Sequence, residues 1–315
     1  MTTPDAEKLA CRTIFHEDWW LDVVTRGDFK KIEIEQGGKV VATLPYWYTS
    51  GRLGSYCGLP PINRILSPLF DLDARKTESI NRSKSALIGE IITRLPRADH
   101  VRFVLGPQDT DALAWQLHGF ATRIIYTYVL ETAGSFDPMR KLRDTTRRTV
   151  LRAQQVLHIE MMSADQFASF YVANLGGEKP YYDLSLLTPL QIECAERGRG
   201  AAFAAVDASG KMHAAIFFVW DDSDYYYFLP TRDTGVAHMG ATAMLVLHGI
   251  EQAKGMGLRF DLDGITTNER ARFLVNFGGN IKQRTIVERF SYRLSVYRAS
   301  KMILRVKDNT PMFLR

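Results

Sequence analysis

Cysteine, long apolar runs and clustered histidines are scarce in this sequence. Its 315 residues include 3 cysteines, Cys11, Cys57 and Cys194, which stand far apart and form no CxxC pair. This spacing argues against a disulfide framework and against a structural zinc site. The longest apolar stretches, 201–206 and 212–220, have the length of strands, whereas a membrane-spanning helix needs about 20 apolar residues. We therefore expect no membrane span and no metal site.

An apolar leader is also missing. The chain begins with MTTPDAEKLACRT, which carries two acids and lacks the apolar core of a secretory signal. We expect a cytoplasmic protein. Hydrophobic residues make up 46% and charged residues 24% of the chain, which is typical of soluble domains. The length predicts two such domains.

Positive charge is concentrated in one segment. The net charge is +5, and residues 139–152 alone hold six basic residues and one acid. Arg143 with Arg147, and Arg148 with Arg152, stand four residues apart and share helix faces. Arginine forks suit bidentate binding of phosphate. The segment is interpreted as an anion site for an acidic acceptor, the alternative being a solvated helix face.

Apolar periodicity and turn residues predict the same order of elements in both halves. The first half is predicted as a helix, three strands, a long helix, a strand, a short helix and a strand, at 17–26, 29–35, 39–48, 52–57, 74–94, 100–105, 110–118 and 120–131. The second half, preceded by helices at 163–175 and 185–197, repeats this order at 201–206, 211–220, 224–229, 238–254, 258–262, 268–276 and 281–293. A last helix is predicted at 295–306.

The two halves also align without a gap. Residues 101–120 and 258–277 share seven identities in twenty positions, including Arg-Phe-x-Leu. The match predicts an internal duplication, and chance similarity between two strand–helix units is the alternative.

Several segments together resemble one family. They are the basic helix TRRTVLRA at 146–153, the strands at 214–220 and 225–229 with Thr231, and FDLDGI at 260–265 followed by Phe273 and FGG at 277–279. In their order and spacing they resemble the FemABX-related, FemAB-like tandem GNAT acyltransferases. The resemblance implies an α/β (α+β) fold of two tandem GNAT-like modules, each with a mixed, mostly antiparallel sheet flanked by helices. The predicted modules are 1–135 and 136–315, with a basic linking helix at 137–155 and the active site in the second.

The resemblance also implies an activity. It points to an acyltransferase that moves an acyl group from acyl-CoA, with acetyl-CoA first among the donors, to an amine or hydroxyl of a cell-envelope or polysaccharide-related acceptor. The acceptor is a small molecule or glycan-linked, with nucleotide- and lipid-diphosphate-linked forms among the candidates. An aminoacyl-tRNA donor is the alternative, although Leu274 stands where the peptidoglycan-bridge enzymes commonly carry lysine. A non-catalytic, polyanion-binding GNAT-like protein is another.

Two aspartates alternate at the end of a predicted strand. Asp261 and Asp263 would project to the same face, and Asp263 precedes Gly264, where the strand ends. Acyl transfer needs a base beside the attacking group, and either carboxylate is a candidate. The alternatives are a cap on the next helix or an ion pair with Arg259 or Arg272.

The remaining candidates surround the same predicted strands. Tyr227 is a candidate general acid, the alternative being a core tyrosine. Gly240 and Ala241 open a predicted helix, whose N-terminus suits phosphate, the alternative being close helix packing. The complete set is catalytic Asp263, Asp261 and Tyr227; donor-binding Thr231, Gly240 and Ala241; and substrate-binding Arg147, Arg148, Arg152, Tyr181 and Arg272. Tyr181 belongs to a predicted lid or plain loop at 179–183.

One geometric expectation underlies this interpretation. The strands at 225–230 and 258–262 should separate and seat a thioester or ester carbonyl between them, with the acceptor held between the modules. Continuous pairing of these strands would exclude it.

Overall fold

A computed structural model describes residues 12–52, 54–72, 77–107, 112–176, 182–233, 235, 240–265 and 267–295. The strands are β1 (Phe29–Gln36), β2 (Lys39–Gly51), β3 (Gly54–Gly58), β4 (Leu69–Phe70), β5 (His100–Leu105), β6 (Ala121–Leu130), β7 (Leu157–Met162), β8 (Gly200–Asp207), β9 (Met212–Trp220), β10 (Asp224–Arg232), β11 (Arg259–Asp261) and β12 (Asn280–Phe290). The α-helices are α1 (Asp18–Thr25), α2 (Thr77–Arg94), α3 (Ala112–Leu117), α4 (Pro138–Lys141), α5 (Asp144–Ala153), α6 (Ala164–Ala173), α7 (Leu187–Glu196), α8 (Ala241–Met256) and α9 (Asn268–Leu274). Short 3-10 turns lie at Ile14–His16, Leu184–Leu186 and Val275–Phe277.

The chain forms two compact units. The first comprises Met1–Ile125 and Gln283–Arg315, and the second comprises Tyr126–Lys282. Strands β6 and β12 each contribute residues to both units. The module boundary predicted after residue 135 stays a prediction.

The sheet of the first unit has the order β1-β2-β3-β5-β12, and β4 pairs with β2. Its first hairpin turns at Gly37 and Gly38, both at positive φ, and Gln36 pairs with Lys39. Two glycines suit this turn because they adopt positive φ without steric cost. Only β3 and β5 run parallel among the strand pairs described for this unit.

The sheet of the second unit has the order β6-β11-β10-β9-β8-β7. Among its described pairs, only β10 and β11 are parallel. Helix α8 packs on one face, where Tyr225, Tyr227 and Phe260 share its hydrophobic cluster. Side chains alternate along a strand, which places Tyr226 on the other face. These strand orders are parts of one 12-stranded sheet, and its mixed, mostly antiparallel pairing with flanking helices confirms the predicted fold class.

Each unit takes one strand from the other half of the chain. Strand β5 of the first half pairs with β12 of the second, whereas β11 of the second half pairs with β6 of the first. Apolar alternation predicts both strands but does not say which strand either one pairs with. The exchange therefore emerges only in the structure.

The basic segment differs from its prediction as one helix. It forms two helices, α4 and α5, because the chain is extended at Leu142 and Arg143. The Arg143 N–H donates to the Asn276 main-chain oxygen at 2.9 Å, and Asp137 caps α4 by accepting from the Arg140 N–H. Strand β7 has no counterpart among the predicted elements, and most of the predicted helix at 295–306 lies outside the described residues.

Candidate functional site

Strands β10 and β11 part from each other in the second unit. Their pairing covers three residue pairs and ends at Tyr226 opposite Asp261, although β10 continues to Arg232. Beyond Asp261 the chain follows β6 instead, because the Leu262 N–H donates to the Tyr128 main-chain oxygen at 2.8 Å. The expected gap is therefore present, and we call it the strand gap.

A β-bulge lies on β10 beside the strand gap. Tyr227 pairs with Phe218 and Leu229 pairs with Phe217, so Phe228 is an extra residue on β10. A bulge re-aims the main chain of the strand that carries it. This part of β10 also lies beyond Tyr226, the last of its residues that pairs with β11.

The two candidate aspartates lie together at the inner end of the gap. Asp261 is 3% exposed and Asp263 is 6% exposed. The Asp261 carboxylate accepts the hydroxyl of Thr127 on β6 and, at 3.0 Å, the Asp263 N–H. The cap on α9 comes from Thr267, which accepts the Arg270 N–H. Thr267 thus fills the capping role that was the alternative prediction for the aspartates.

Tyr227 lies on the same part of β10, and its side chain is 5% exposed. Burial raises its pKa, against the opposing charges of Arg270 and Arg232. Its hydroxyl therefore stays protonated at neutral pH. The Arg270 guanidinium donates to the Gly264 main-chain oxygen at 3.2 Å, next to Asp263. The charge of Arg270 therefore acts on Tyr227, while its guanidinium binds the turn that follows β11.

The opposite end of the β10–β11 pair is clamped by an ion pair. Arg259 donates to both carboxylate oxygens of Asp224, at 2.8 and 2.6 Å. Burial raises the pKa of Asp224 to about 7, whereas the hydrogen bond from Arg259 lowers it. Asp221 accepts the Tyr226 hydroxyl at 3.1 Å. Arg259 thus pairs with Asp224 at the closed end of the gap.

The start of α8 packs against the basic helix α5. A Cβ atom on Gly240 would lie 2.7 Å from the Ala153 Cβ and 2.8 Å from the Thr149 main-chain oxygen. Ala241 is fully buried. This contact supports the packing interpretation of Gly240. Residues 236–239 lie outside the described part of the chain.

The arginines of α5 point away from that contact. Arg148 and Arg152 are exposed, while Arg147 pairs with Asp144 at 2.7 Å. Within the described residues, neither Arg148 nor Arg152 has a side-chain hydrogen bond or ion pair. Arg272 is exposed on α9, where its charge lowers the pKa of Glu269 as a lesser cause than hydrogen bonds.

The structure brings the predicted site residues together only in part. Asp261, Asp263 and Tyr227 lie at the gap, but the Tyr227 side chain belongs to the core cluster on the α8 face with Phe260, whereas Asp261 faces the other side. Thr231 lies farther along β10, half-buried and opposite Ala215. Gly240 precedes α8 as its N-cap, and the other described candidates lie on helices: Ala241, Arg147, Arg148, Arg152 and Arg272. Tyr181 lies outside the described residues.

The first unit closes the corresponding gap with its own chain. After β3 pairs with β5, the Leu59 N–H donates to the Arg102 oxygen at 2.9 Å, and the Leu66 N–H donates to the Val104 oxygen at 2.9 Å. Gly58 approaches so closely that a Cβ on it would lie 1.9 Å from the Arg102 oxygen. A carbonyl could not enter there without displacing this segment.

Two residues of the site have no marker in the sequence. Thr127 is buried on β6, far along the chain from its partner Asp261, and Arg270 is one of many arginines. Only alternation along β6 indicates that Thr127 faces inward. Its bond to Asp261 depends on the strand exchange, which the sequence does not predict.

Comparison with known proteins gives structural matches alone. No family model and no curated protein matches the sequence. FemX superposes with a TM-score of 0.67 at 11% identity, over 95% of this chain and 98% of that chain. The C-terminal domain of a putative lysylphosphatidylglycerol synthetase from Agrobacterium fabrum gives 0.56 at 13% identity, over 96% and 98%. A tandem GNAT protein from the clavulanic acid pathway gives 0.55 at 12% identity, over 91% and 93%.

This chain has the fold of FemX and of the tandem GNAT protein. The matches confirm the fold that the sequence resemblance implied. Among the residues of this chain that the structure describes, no group of three or more His, Cys, Asp or Glu side chains is arranged to share a metal ion. No helix among those residues is both long and apolar enough to cross a bilayer.

Proposed function

We propose that the second unit is the active site of an acyltransferase and that the strand gap seats the acyl carbonyl of the donor. The observation that carries the proposal is the end of β10–β11 pairing at Tyr226 and Asp261, beside the bulge at Phe228. In the first unit, the corresponding gap is closed by Leu59 and Leu66. We therefore assign chemistry to the second unit only.

In the proposed reaction, an acceptor amine or hydroxyl attacks the donor carbonyl carbon directly. A new C–N or C–O bond forms, the C–S bond of the thioester breaks, and no covalent enzyme intermediate forms. The developing oxyanion is stabilised by N–H groups of β10 beyond Tyr226, because fixed donors stabilise charge best where water is excluded. Orientation of the two substrates supplies the rest of the rate enhancement.

Two side chains handle the protons. The Asp263 carboxylate, at the end of β11, orients the acceptor and takes its proton. The Tyr227 hydroxyl gives its proton to the departing thiolate, and its raised pKa keeps it protonated for that step. Asp261 is a further catalytic candidate from the sequence, but its carboxylate already accepts from Thr127 and from the Asp263 N–H.

Acyl-CoA, with acetyl-CoA first, is the proposed donor. Thr231 on β10 is proposed to contact its pantetheine, and main-chain N–H groups at the start of α8, next to the packed Gly240 and Ala241, are proposed to bind its phosphates. Leu274 is fully buried in the core of the second unit, so this position offers no lysine to an aminoacyl-tRNA donor. The similar fold of the tandem GNAT protein of the clavulanic acid pathway, whose structure is that of the form without AcCoA, also favours this donor.

An acidic acceptor is proposed to contact the arginines. Arg147, Arg148 and Arg152 on α5, with Arg272 on α9, carry the charge, and Tyr181 belongs to the proposed lid. Their guanidinium groups favour a phosphate- or diphosphate-linked acceptor, either a glycan or a lipid of the cell envelope.

An aminoacyl donor is the second candidate. It is favoured by the match to the domain of a putative lysylphosphatidylglycerol synthetase, which also makes a lipid acceptor plausible. The third candidate is a protein that has lost catalysis and only binds polyanions.

Thermal stability in the presence of each ligand separates these functions. A ligand at one hundred times its Kd stabilises the folded state by about 2.7 kcal/mol. Acetyl-CoA should raise the Tm and release CoA thiol when an acceptor is present. A rise with tRNA alone would support the aminoacyl donor. A rise with heparin alone, without transfer, would leave only polyanion binding.

A further inference from the structure

A buried threonine holds the carboxylate at the inner end of the strand gap. Thr127 is fully buried on β6, and its hydroxyl donates to Oδ1 of Asp261. The same oxygen accepts the Asp263 N–H at 3.0 Å. One carboxylate oxygen therefore connects β6 to the turn that carries Asp263.

The position of Asp261 distinguishes the two units. In the gap-free alignment of the halves, Asp261 corresponds to Val104 in the first unit. Val104 accepts the Leu66 N–H through its main-chain oxygen, and there the gap is closed. In the second unit an acid replaces valine where the strands separate. Next to this acid, the Leu262 N–H donates to the Tyr128 main-chain oxygen on β6, and the Asp263 N–H donates to the acid itself.

We propose that Thr127 and Asp261 are positioning residues that hold Asp263 at the open end of the strand gap. Asp261 acts through the Asp263 main chain and does not contact substrate. The role of Asp263 in transfer rests on the proposed function. The arrangement of Thr127, Asp261 and Asp263 can be tested in the protein without substrate.

The first test is amide hydrogen exchange on the full chain, comparing Thr127→Val with Thr132→Val. Thr132 is a matched control because it is also buried next to β6, and its hydroxyl donates to the Leu258 main-chain oxygen. Thr127→Val should speed exchange of the Asp263 amide by about tenfold, the equivalent of one hydrogen bond. Thr132→Val should leave that amide unchanged, and Thr127→Ser, which keeps the hydroxyl, should restore protection. Equal exchange at Asp263 in both valine variants would overturn the proposal.

The second test is release of CoA from acetyl-CoA with water as the acceptor. Water adds to the carbonyl, the thioester C–S bond breaks, and acetate and CoA thiol result. Thr127→Val should lower kcat about tenfold at unchanged KM for acetyl-CoA, while Thr132→Val and Thr127→Ser keep wild-type kcat. Changed exchange with unchanged kcat would overturn the positioning role. No CoA release from wild-type protein would count against the donor, and the exchange comparison would still decide the arrangement of Asp263.

Discussion

Gly240 lies against Ala153 so closely that a Cβ on the glycine would be 2.7 Å from the alanine Cβ. The contact joins the start of α8 to α5, the helix that carries Arg147, Arg148 and Arg152. The close packing of α5 on α8, which places these arginines, therefore requires a residue without a side chain at position 240.

Gly240→Ala should lower the free energy of unfolding by about 2 kcal/mol, because an added methyl overpacks this contact. Gly255→Ala on the same helix is the matched control. No atom lies within 4 Å of its would-be Cβ, so alanine there should stabilise by about 0.5 kcal/mol through helix propensity. Urea unfolding measures both values. Similar effects for the two variants would show that the α5–α8 contact is looser than described.

Tyr227→Phe should lower kcat for acyl transfer about a hundredfold, because the departing thiolate loses its proton donor. Donor affinity should not change. Tyr225→Phe is the control, since Tyr225 is equally buried on β10 and stacks on Trp220. Rates and isothermal titration with acetyl-CoA test the pair. Equal rates for the two variants would remove Tyr227 from the proton step.

Arg147→Ala combined with Arg148→Ala should raise the acceptor KM at least tenfold and leave donor affinity unchanged, because the arginines are assigned to the acceptor. Lys254→Ala with Lys282→Ala, two exposed lysines, removes the same two positive charges and controls for net charge. Salt should weaken acceptor binding in wild-type protein and less so in the arginine variant. Loss of donor binding alone would assign these arginines to the donor.

Acid should destabilise the protein through His16 in the first unit. Burial lowers its pKa from 6.5 to about 4, and its ring nitrogens lie 2.9 Å from the Thr13 hydroxyl and 3.1 Å from the Ser67 main chain. As the pH falls, His16 therefore takes up a proton in the unfolded chain before it does so in the folded protein. Stability from this group is complete above pH 6.5 and falls as the pH drops toward 4, by about 2 kcal/mol between pH 7 and 5. His16→Gln should remove this part of the pH dependence in urea unfolding. An unchanged slope would place the acid sensitivity elsewhere.

Asp224→Ala should cost about 3 kcal/mol of stability, because it leaves the partly buried Arg259 without the partner that both its donors contact. Glu78→Ala, which breaks an exposed ion pair with Arg82, should cost about 0.5 kcal/mol or less. Denaturant titration compares them. A small loss for Asp224→Ala would mean that water replaces the clamp at the closed end of the gap.

The features that sequence reasoning predicted are local ones. The hairpin at Gly37 and Gly38 follows from turn chemistry, and the burial of Tyr225 and Tyr227 in one cluster follows from alternation. The separation of β10 from β11 follows from the family resemblance, and the structure confirms it. The roles of Asp263 and Tyr227 in transfer stay predictions.

The features that it missed depend on distant partners. The basic segment breaks at Arg143 because Asn276, from the end of the chain's second half, accepts its N–H. Thr127 acquires its role from Asp261. The apolar periodicity of a segment carries no information about a partner that is distant in the sequence.

The exchange of β6 and β12 has a consequence for synthesis. The edge of β5 at Leu105 stays open until β12, which begins its pairing at Thr285, has been made. Ribosomes add ~5–20 residues per second, so roughly 10–40 s separate the two segments on the nascent chain. During that interval an open β-edge is exposed to other chains, so a chaperone that covers residues 101–105 should raise the yield of folded protein.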